Sequence, residues 1–273
     1  MTPSAVAPLE PPFGALAPTS LQSALLGLAR DSFLKRGDFR PMVTGLLSAM
    51  RGGPIDDRFR GAGFRLHLKG SPTEAAMLLN PGYNAPEFEL LEACLAGGGT
   101  FVDVGANIGL YSLSVAAFLG SKGRVIAIEP EPVAHERLLI NVAANAASNI
   151  SVYKTAVGDR TGEVSFIHDD ANLGHSRVGE GGLTVPILPL ADLLTQAGVK
   201  SVDALKIDVE GFEDHVLFPF FETWPAKARP RAVVIEHIDR ERWGRDCIDL
   251  MLSLGYVQRL KERSNTVLTL GGG

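Results

Sequence analysis

The residues with the clearest chemical content lie in Phe101-Val-Asp-Val-Gly-Ala-Asn-Ile-Gly109. A short strand-like run leads into Gly105, Asn107 and Gly109, and Leu110 to Phe118 then has the length and composition of a helix. Strand, glycine turn and helix form the context in which backbone amides and a helix N-terminus meet a ligand. The spacing is D-x-G-x-x-x-G, so Asp103 stands where a dinucleotide fingerprint carries its first glycine. A carboxylate there repels a pyrophosphate and attracts a cationic amino-acid group. Twenty-six residues further on, Arg124-Val-Ile-Ala-Ile128 ends in Glu129-Pro130, at the strand end where ribose hydroxyls are gripped. Amino acid plus ribose describes S-adenosylmethionine. Asn107 reads as a turn residue that tolerates left-handed geometry beside this cofactor rather than as a catalytic group.

A second group follows the fourth apolar run. Asp208 and Glu210 alternate along an extended segment and so face one side, where either could accept a proton or face a sulfonium. Glu210-Gly211 could instead cap the helix that follows. Glu236-His237 closes the next run, and histidine is the side chain whose ordinary pKa best suits base work near neutrality. Asp208, Glu210, Glu236 and His237 are ligand types for a divalent cation, but carboxylates beside a sulfonium already have a role, and no required metal is expected. The polar, glycine-rich stretches at 166–177 and 179–182 are expected to lie over the site, with Asn172, His175 and Ser176 as secondary candidates.

The elements that must position these residues are legible as apolar runs at 101–104, 125–128, 151–157, 204–209 and 232–236, separated by helical or loop segments. That pattern predicts an α/β domain, a parallel sheet covered by helices. Phe64–Lys69 alternates as a half-buried strand, Pro86–Leu95 reads as a helix stopped by Gly97–Gly99, and Gly255–Leu270 reads as a hairpin closing a sheet edge. Pro3, Pro8, Pro11, Pro12 and Pro18 predict a flexible or extended arm, and residues 20–50 two short helices. The expected boundary falls between an N-terminal extension, 1–62, and the main domain, 63–273. A net charge of -5 opposes a nucleic-acid partner. Cys94 and Cys247 form no C-x-x-C pair, and no apolar stretch reaches bilayer-spanning length, so a cytoplasmic protein without a membrane partner is expected.

The sequence resembles the FkbM family of methyltransferases through F-V-D-V-G-A-N-I-G-L-Y-S-L (101–113), A-I-E-P (127–130), the N-x-x-x-N of Asn141 and Asn145, and K-I-D-V-E-G-F-E (206–213). The likeness runs from about Glu87 to Glu236, and the last motif is the most discriminating. It implies a Rossmann-like class I sheet of seven strands, S-adenosylmethionine as donor, and transfer to an oxygen of a small molecule or sugar. It further implies a donor site of Asp103, Gly105, Asn107, Gly109, Glu129, Pro130 and Asp208, with Ala156 and Val157 near the adenine and Glu87 approaching from the preceding helix. The catalytic candidates are Asp208, His237 and Glu210, with His237 or Asp208 deprotonating the acceptor. A non-catalytic cofactor-binding protein is the alternative of a different class. A nucleic-acid methyltransferase would carry N/D-P-P-Y/F where this chain has Asp208-Val-Glu-Gly211. Residues 1–62 could cover the acceptor pocket or build a homodimer contact.

Overall fold

The apolar runs are continuous because each strand is covered on both faces. Val102, Val104, Ile126, Ile128, Leu205, Ile207, Val233 and Ile235 fill one core, while Phe101, Val125, Ala127, Ala204, Ala232 and Val234 fill the other. The computed structural model describes residues 1–68, 71–167, 177–178 and 182–271. Its helices are α1 (Ser20–Arg30), α2 (Arg40–Met50), α3 (Pro72–Leu79), α4 (Ala85–Leu95), α5 (Leu110–Leu119), α6 (Pro132–Ala144), α7 (Leu190–Gln196), α8 (Glu213–Thr223) and α9 (Cys247–Ser253). The strands are β1 (Ile55–Phe59), β2 (Ala62–Leu66), β3 (Gly99–Val104), β4 (Gly123–Ile128), β5 (Ile150–Tyr153), β6 (Ala156–Gly158), β7 (Gly162–Ile167), β8 (Arg177–Val178), β9 (Leu183–Pro189), β10 (Ala204–Ile207), β11 (Ala232–Glu236), β12 (Tyr256–Lys261) and β13 (Asn265–Leu270).

The main sheet has seven strands in the order β12-β13-β11-β10-β3-β4-β5. β11, β10, β3, β4 and β5 pair in parallel, and β13 runs antiparallel to both its neighbours. This is the mostly parallel Rossmann-like sheet with a C-terminal hairpin. The order reverses at β3 and β10, so the C-terminal ends of β3, β4, β10 and β11 open on one crevice, where ligands bind in such sheets.

One expected strand is two. The run 151–157 divides at Lys154-Thr155: β5 stays in the main sheet, whereas β6 pairs with β9 in a four-stranded sheet ordered β6-β9-β7-β8. Thr155 holds the break, its hydroxyl donating to the carbonyl oxygens of Pro186 at 2.9 Å and Ala156 at 3.0 Å.

The boundary expected at 62/63 falls inside the β1–β2 hairpin, whose register pairs Ile55 with Leu66 and Phe59 with Ala62. β1 was hidden because Asp56, Asp57 and Arg58 interrupt its apolar alternation. Leu26, Val43, Leu47, Ile55 and Phe59 share a core with Phe101 and Leu113, so the N-terminal segment packs as part of the domain. Nor is the proline-rich arm free. Arg65 bonds Asp56 through Nε at 2.8 Å and Nη2 at 3.1 Å, and donates to the Pro11 carbonyl at 2.8 Å. The Asp56 carboxylate also accepts the Gly14 and Leu16 amides, while Ser4 donates its amide to Val152 at 2.7 Å. The arm is extended as expected, and these bonds fix it.

Asp56→Ala is expected to lower stability by about 3–5 kcal/mol, because it leaves the Arg65 guanidinium buried without its counter-charge. Urea unfolding of the two proteins measures this; a loss below about 1 kcal/mol would show that water already compensates the pair.

Candidate functional site

The glycine turn is built from close approaches that larger residues would block. The amides of Gly105 and Ala106 both donate to the Ile128 carbonyl at 3.0 Å, clamping the turn to the end of β4. Gly105 has φ +74°, and a Cβ there would sit 1.8 Å from the Asp208 carbonyl oxygen. Asn107 is left-handed (φ +49°), as its turn role predicts; its amide donates to Glu129 Oε2 at 2.7 Å and its Oδ1 accepts from Ile108 at 2.8 Å. Gly109 precedes α5 at φ +95°, packed against Leu138 and Leu113. Pro130 follows Glu129 directly on the way to α6.

Glu129 Oε1 accepts the Glu131 amide at 2.9 Å, so both oxygens of this 6% exposed carboxyl are oriented by backbone. A carboxylate offers about four acceptor positions, which leaves two for ligand hydroxyls. Burial pushes its pKa up to about 7, outweighing the two N–H bonds that favour the ionised form.

Lys206, one strand away in the K-I-D-V-E-G-F-E motif, is a site residue that motif spacing alone does not single out. Its ammonium is buried, donates to the Gly105 carbonyl at 2.8 Å, and lies 3.3 Å from Asp208 Oδ2 and 3.7 Å from Asp103 Oδ1. Burial acts to lower the Lys206 pKa, but Asp208 and Asp103 outweigh it and hold the group charged. Asp103 is 0% exposed, its Oδ2 accepting from Ser112 Oγ at 2.6 Å. Its other oxygen has no hydrogen-bond partner among the described residues. The cation beside Asp103 in the structure is therefore Lys206, and any influence on a ligand's ammonium passes through this pair. A lysine inside the apolar strand Ala204-Leu-Lys-Ile207 was the available signal.

Asp208, Glu210 and Glu236 converge, with carboxylate oxygens within 4.8 Å of one another. Burial first, then the Asp208 charge and its hydrogen bond, holds Glu236 far above the usual carboxylate range and keeps it protonated beside Asp208. Glu210 is pushed up to about 8 by burial and by the same neighbour. The alternative of Glu210 as a helix cap does not describe the turn. The helix begins after Phe212 with no side-chain cap, and the turn before it is tied by Glu213, whose Oε1 accepts the amides of Val209 at 2.9 Å and Gly211 at 3.4 Å. His237 is turned elsewhere: Nδ1 lies 3.1 Å from Thr266 Oγ1, and burial, Lys261 and Arg240 lower its pKa.

Glu87 does not reach out of the fold. It is buried, accepts from the Tyr111 hydroxyl, and takes the Asn265 side-chain amide at 3.1 and 3.2 Å. Asn84 donates to the same hydroxyl at 2.8 Å, and the Lys206 ammonium lies 5.6 Å from the Tyr111 ring centroid. This network forms the wall between α4, α5 and β13. Ala156 and Val157 are buried in β6, and Asp159 just beyond them pairs with His215 at 2.8 Å. Asn172, His175 and Ser176 lie outside the described residues.

Among known proteins, the methyltransferase FkbM domain matches residues 103–258. The hexuronic acid methyltransferase AglP of Haloferax volcanii is 31% identical over 117 residues, 42% of this chain and 47% of that protein. A Sulfolobus acidocaldarius protein named "Probable cobalt-precorrin-6B C(15)-methyltransferase (decarboxylating)" is 27% identical over 119 residues, 44% of this chain and 60% of that one. The chain thus spans about half the length of the curated relatives it matches. Among solved structures, the METTL16 methyltransferase domain aligns over 87% of this chain and 81% of its own, at 14% identity and a TM-score of 0.48. Aeropyrum pernix fibrillarin, solved with natively bound S-adenosyl-L-methionine, aligns over 66% and 73%, at 13% identity and a TM-score of 0.39.

Lys206→Met is expected to cost about 3–5 kcal/mol of stability, since it leaves Asp103 buried without a counter-charge. Adding Asp103→Asn should recover a large part of that loss. A double-mutant cycle by denaturant unfolding reads the coupling, and simple additivity would show that the two groups do not interact.

Proposed function

The chain belongs to the FkbM methyltransferase family, whose cofactor is S-adenosylmethionine, and we propose that it transfers the donor's methyl group to an oxygen of a small hydroxylated molecule or sugar. The observation that carries this proposal is the crowding of carboxyls around a single ammonium beside the glycine turn: Asp103, Asp208 and Glu236 surround Lys206, with Glu210 against Asp208 and Glu236. Carboxyls in excess of the one lysine suit a donor that carries both a sulfonium and an ammonium, whose positive charge favours their ionised forms. The Glu129 carboxyl, with acceptor positions to spare at the end of β4, suits the donor's ribose.

When bound, the donor supplies a methyl group already activated by its sulfonium. What the chain must add is alignment, exclusion of water and a destination for the acceptor's proton. Asp208 fits that last task. It stands at the crevice end of β10, is steadied by Lys206 at 3.3 Å, and has a protonated Glu236 beside it. His237, bonded to Thr266 on the hairpin side, is the second choice. No divalent cation is needed in this scheme, because Lys206 already supplies positive charge at Asp208. A sugar acceptor is favoured by the likeness to a hexuronic acid methyltransferase. A nucleic-acid acceptor is disfavoured by the net charge of -5. The free thiols of Cys94 and Cys247 suit a reducing cytoplasm. No described helix is long and apolar enough to cross a membrane.

Calorimetric titration with S-adenosylhomocysteine tests the donor half. Saturable binding abolished by Glu129→Ala is expected, and an absence of binding at millimolar ligand would overturn the proposal. The affinity should rise with pH through about 7, the Glu129 value, and level off above it. Ribose hydroxyls donate best to the ionised carboxylate, so binding draws on the form that is lost on acidification. A flat profile from pH 6 to 8 would show that Glu129 does not meet the ribose.

For the chemical step, activity on hydroxylated sugars and uronic acids is the measurement. Asp208→Asn is expected to lower kcat by roughly 10²- to 10⁴-fold, a larger effect than its weakening of donor binding. His237→Ala should spare both, and added chelator should leave turnover intact. The opposite pattern, with His237 essential and Asp208 dispensable, would move the base to the hairpin side.

A further inference from the structure

We propose that α1, α2 and the short segment between them dock onto a lipid surface of anionic headgroups. Each helix buries one face in the core: Gln22, Leu26 and Ala29 from α1, and Val43, Thr44 and Leu47 from α2. A helix at a protein surface ordinarily turns charged or polar residues to the other side. Here the outer faces are apolar, with Leu21 64%, Leu28 63% and Met42 59% exposed, and Leu46, Phe33 and Phe39 exposed with them. These six, within 26 residues, are among the fourteen exposed large apolar side chains of the described residues. Neither helix contains an acidic residue. Apolar surface concentrated in this way marks an interaction site.

Charge selects the occupant. Residues 20–51 carry Arg30, Lys35, Arg36, Arg40 and Arg51 against Asp31 and Asp38, a balance of +3, while the rest of the chain carries -8. Arg30 is paired with Asp57, and Arg51 is bonded to carbonyl oxygens. Lys35, Arg36 and Arg40 have no carboxylate within ion-pair distance among the described residues. An apolar face bordered by such cations is the pattern of a helix lying in a membrane interface. A second copy bound through the same face would set +3 against +3. The patch also borders the site. The Arg40 guanidinium lies 5.8 Å from the Tyr83 ring centroid, and the next residue, Asn84, bonds Tyr111 beside Lys206. A membrane partner was not expected from sequence, since no apolar stretch reaches bilayer-spanning length; lying on a bilayer makes no such demand.

Co-sedimentation of the full chain with vesicles tests this without reference to methyl transfer, so its outcome is separate from that of the proposed reaction. Vesicles of equal parts phosphatidylcholine and phosphatidylglycerol should retain the protein at ~0.1 M salt, and pure phosphatidylcholine should not. Lys35→Gln with Arg36→Gln should weaken retention roughly 30-fold. Leu28→Gln with Met42→Gln should weaken it at least as much, with melting temperature and S-adenosylhomocysteine binding unchanged as evidence of folding. Failure of the wild-type chain to bind anionic vesicles, or retention by both variants equal to wild type, would refute the proposal. A dimer in sedimentation velocity that Leu28→Gln with Met42→Gln dissociates, in a chain that ignores vesicles, would assign the patch to a second copy instead.

Discussion

The ammonium of Lys206, buried between the carboxylates of Asp103 and Asp208, is the interaction on which the rest of the site depends. Removing an isolated ammonium from water costs many kcal/mol, so the position exists only because two strands bring counter-charges to it. Lys206 and Asp103 are register partners in the parallel pair of β10 and β3. A slip of one residue would carry the pair to opposite faces and leave both charges in apolar surroundings. The same ammonium holds the Gly105 carbonyl, and Gly105 lies against the backbone of Asp208 so closely that no side chain fits between them. Strand register, glycine turn and acidic crevice are thus consequences of one buried charge pair.

That arrangement also determines which ligand charge the crevice tolerates. Lys206 is the cation within ion-pair distance of Asp103 and Asp208 among the described residues, and the excess of carboxyls over it is met by protonation: Glu236 remains a neutral acid and Glu210 ionises only near about 8. A cationic donor is an alternative to those protons, because positive charge at the mouth favours the ionised carboxylates that water alone does not sustain. An anionic cofactor would add to the crowding.

The main sheet was legible because doubly covered strands leave uninterrupted apolar runs, and the glycine turn because Gly105, Asn107 and Gly109 are set by backbone geometry within five residues of one another. The remainder depended on distant contacts. β1 carries no legible alternation until Asp56 meets Arg65 and the arm, and Glu87, expected to approach the cofactor from its helix, is instead enclosed by Tyr111 and Asn265. His237 shows the limit most clearly. Position at a strand end suggested a place in the crevice, yet successive residues of a strand face opposite ways, and Glu236 took the crevice side.

Asn141 connects these two kinds of information. Its side-chain amide donates to the Ile108 carbonyl of the glycine turn at 2.9 Å, and its oxygen accepts the Arg65 amide of the hairpin at 2.8 Å. Asn145 grips Gly63 through both its amide and its carbonyl, at 2.7 and 2.8 Å. Arg65 in turn reaches Asp56 and Pro11, so a continuous chain of polar bonds runs from the glycine turn to the proline-rich arm. Buried polar groups are stabilising only while every partner is present, and each one orphaned costs about 1–3 kcal/mol. Detaching the first 62 residues would strand Arg65 and release the hairpin from one side, and the strain would arrive at Ile108 within the turn. The N-terminal segment is therefore a structural support of the glycine turn.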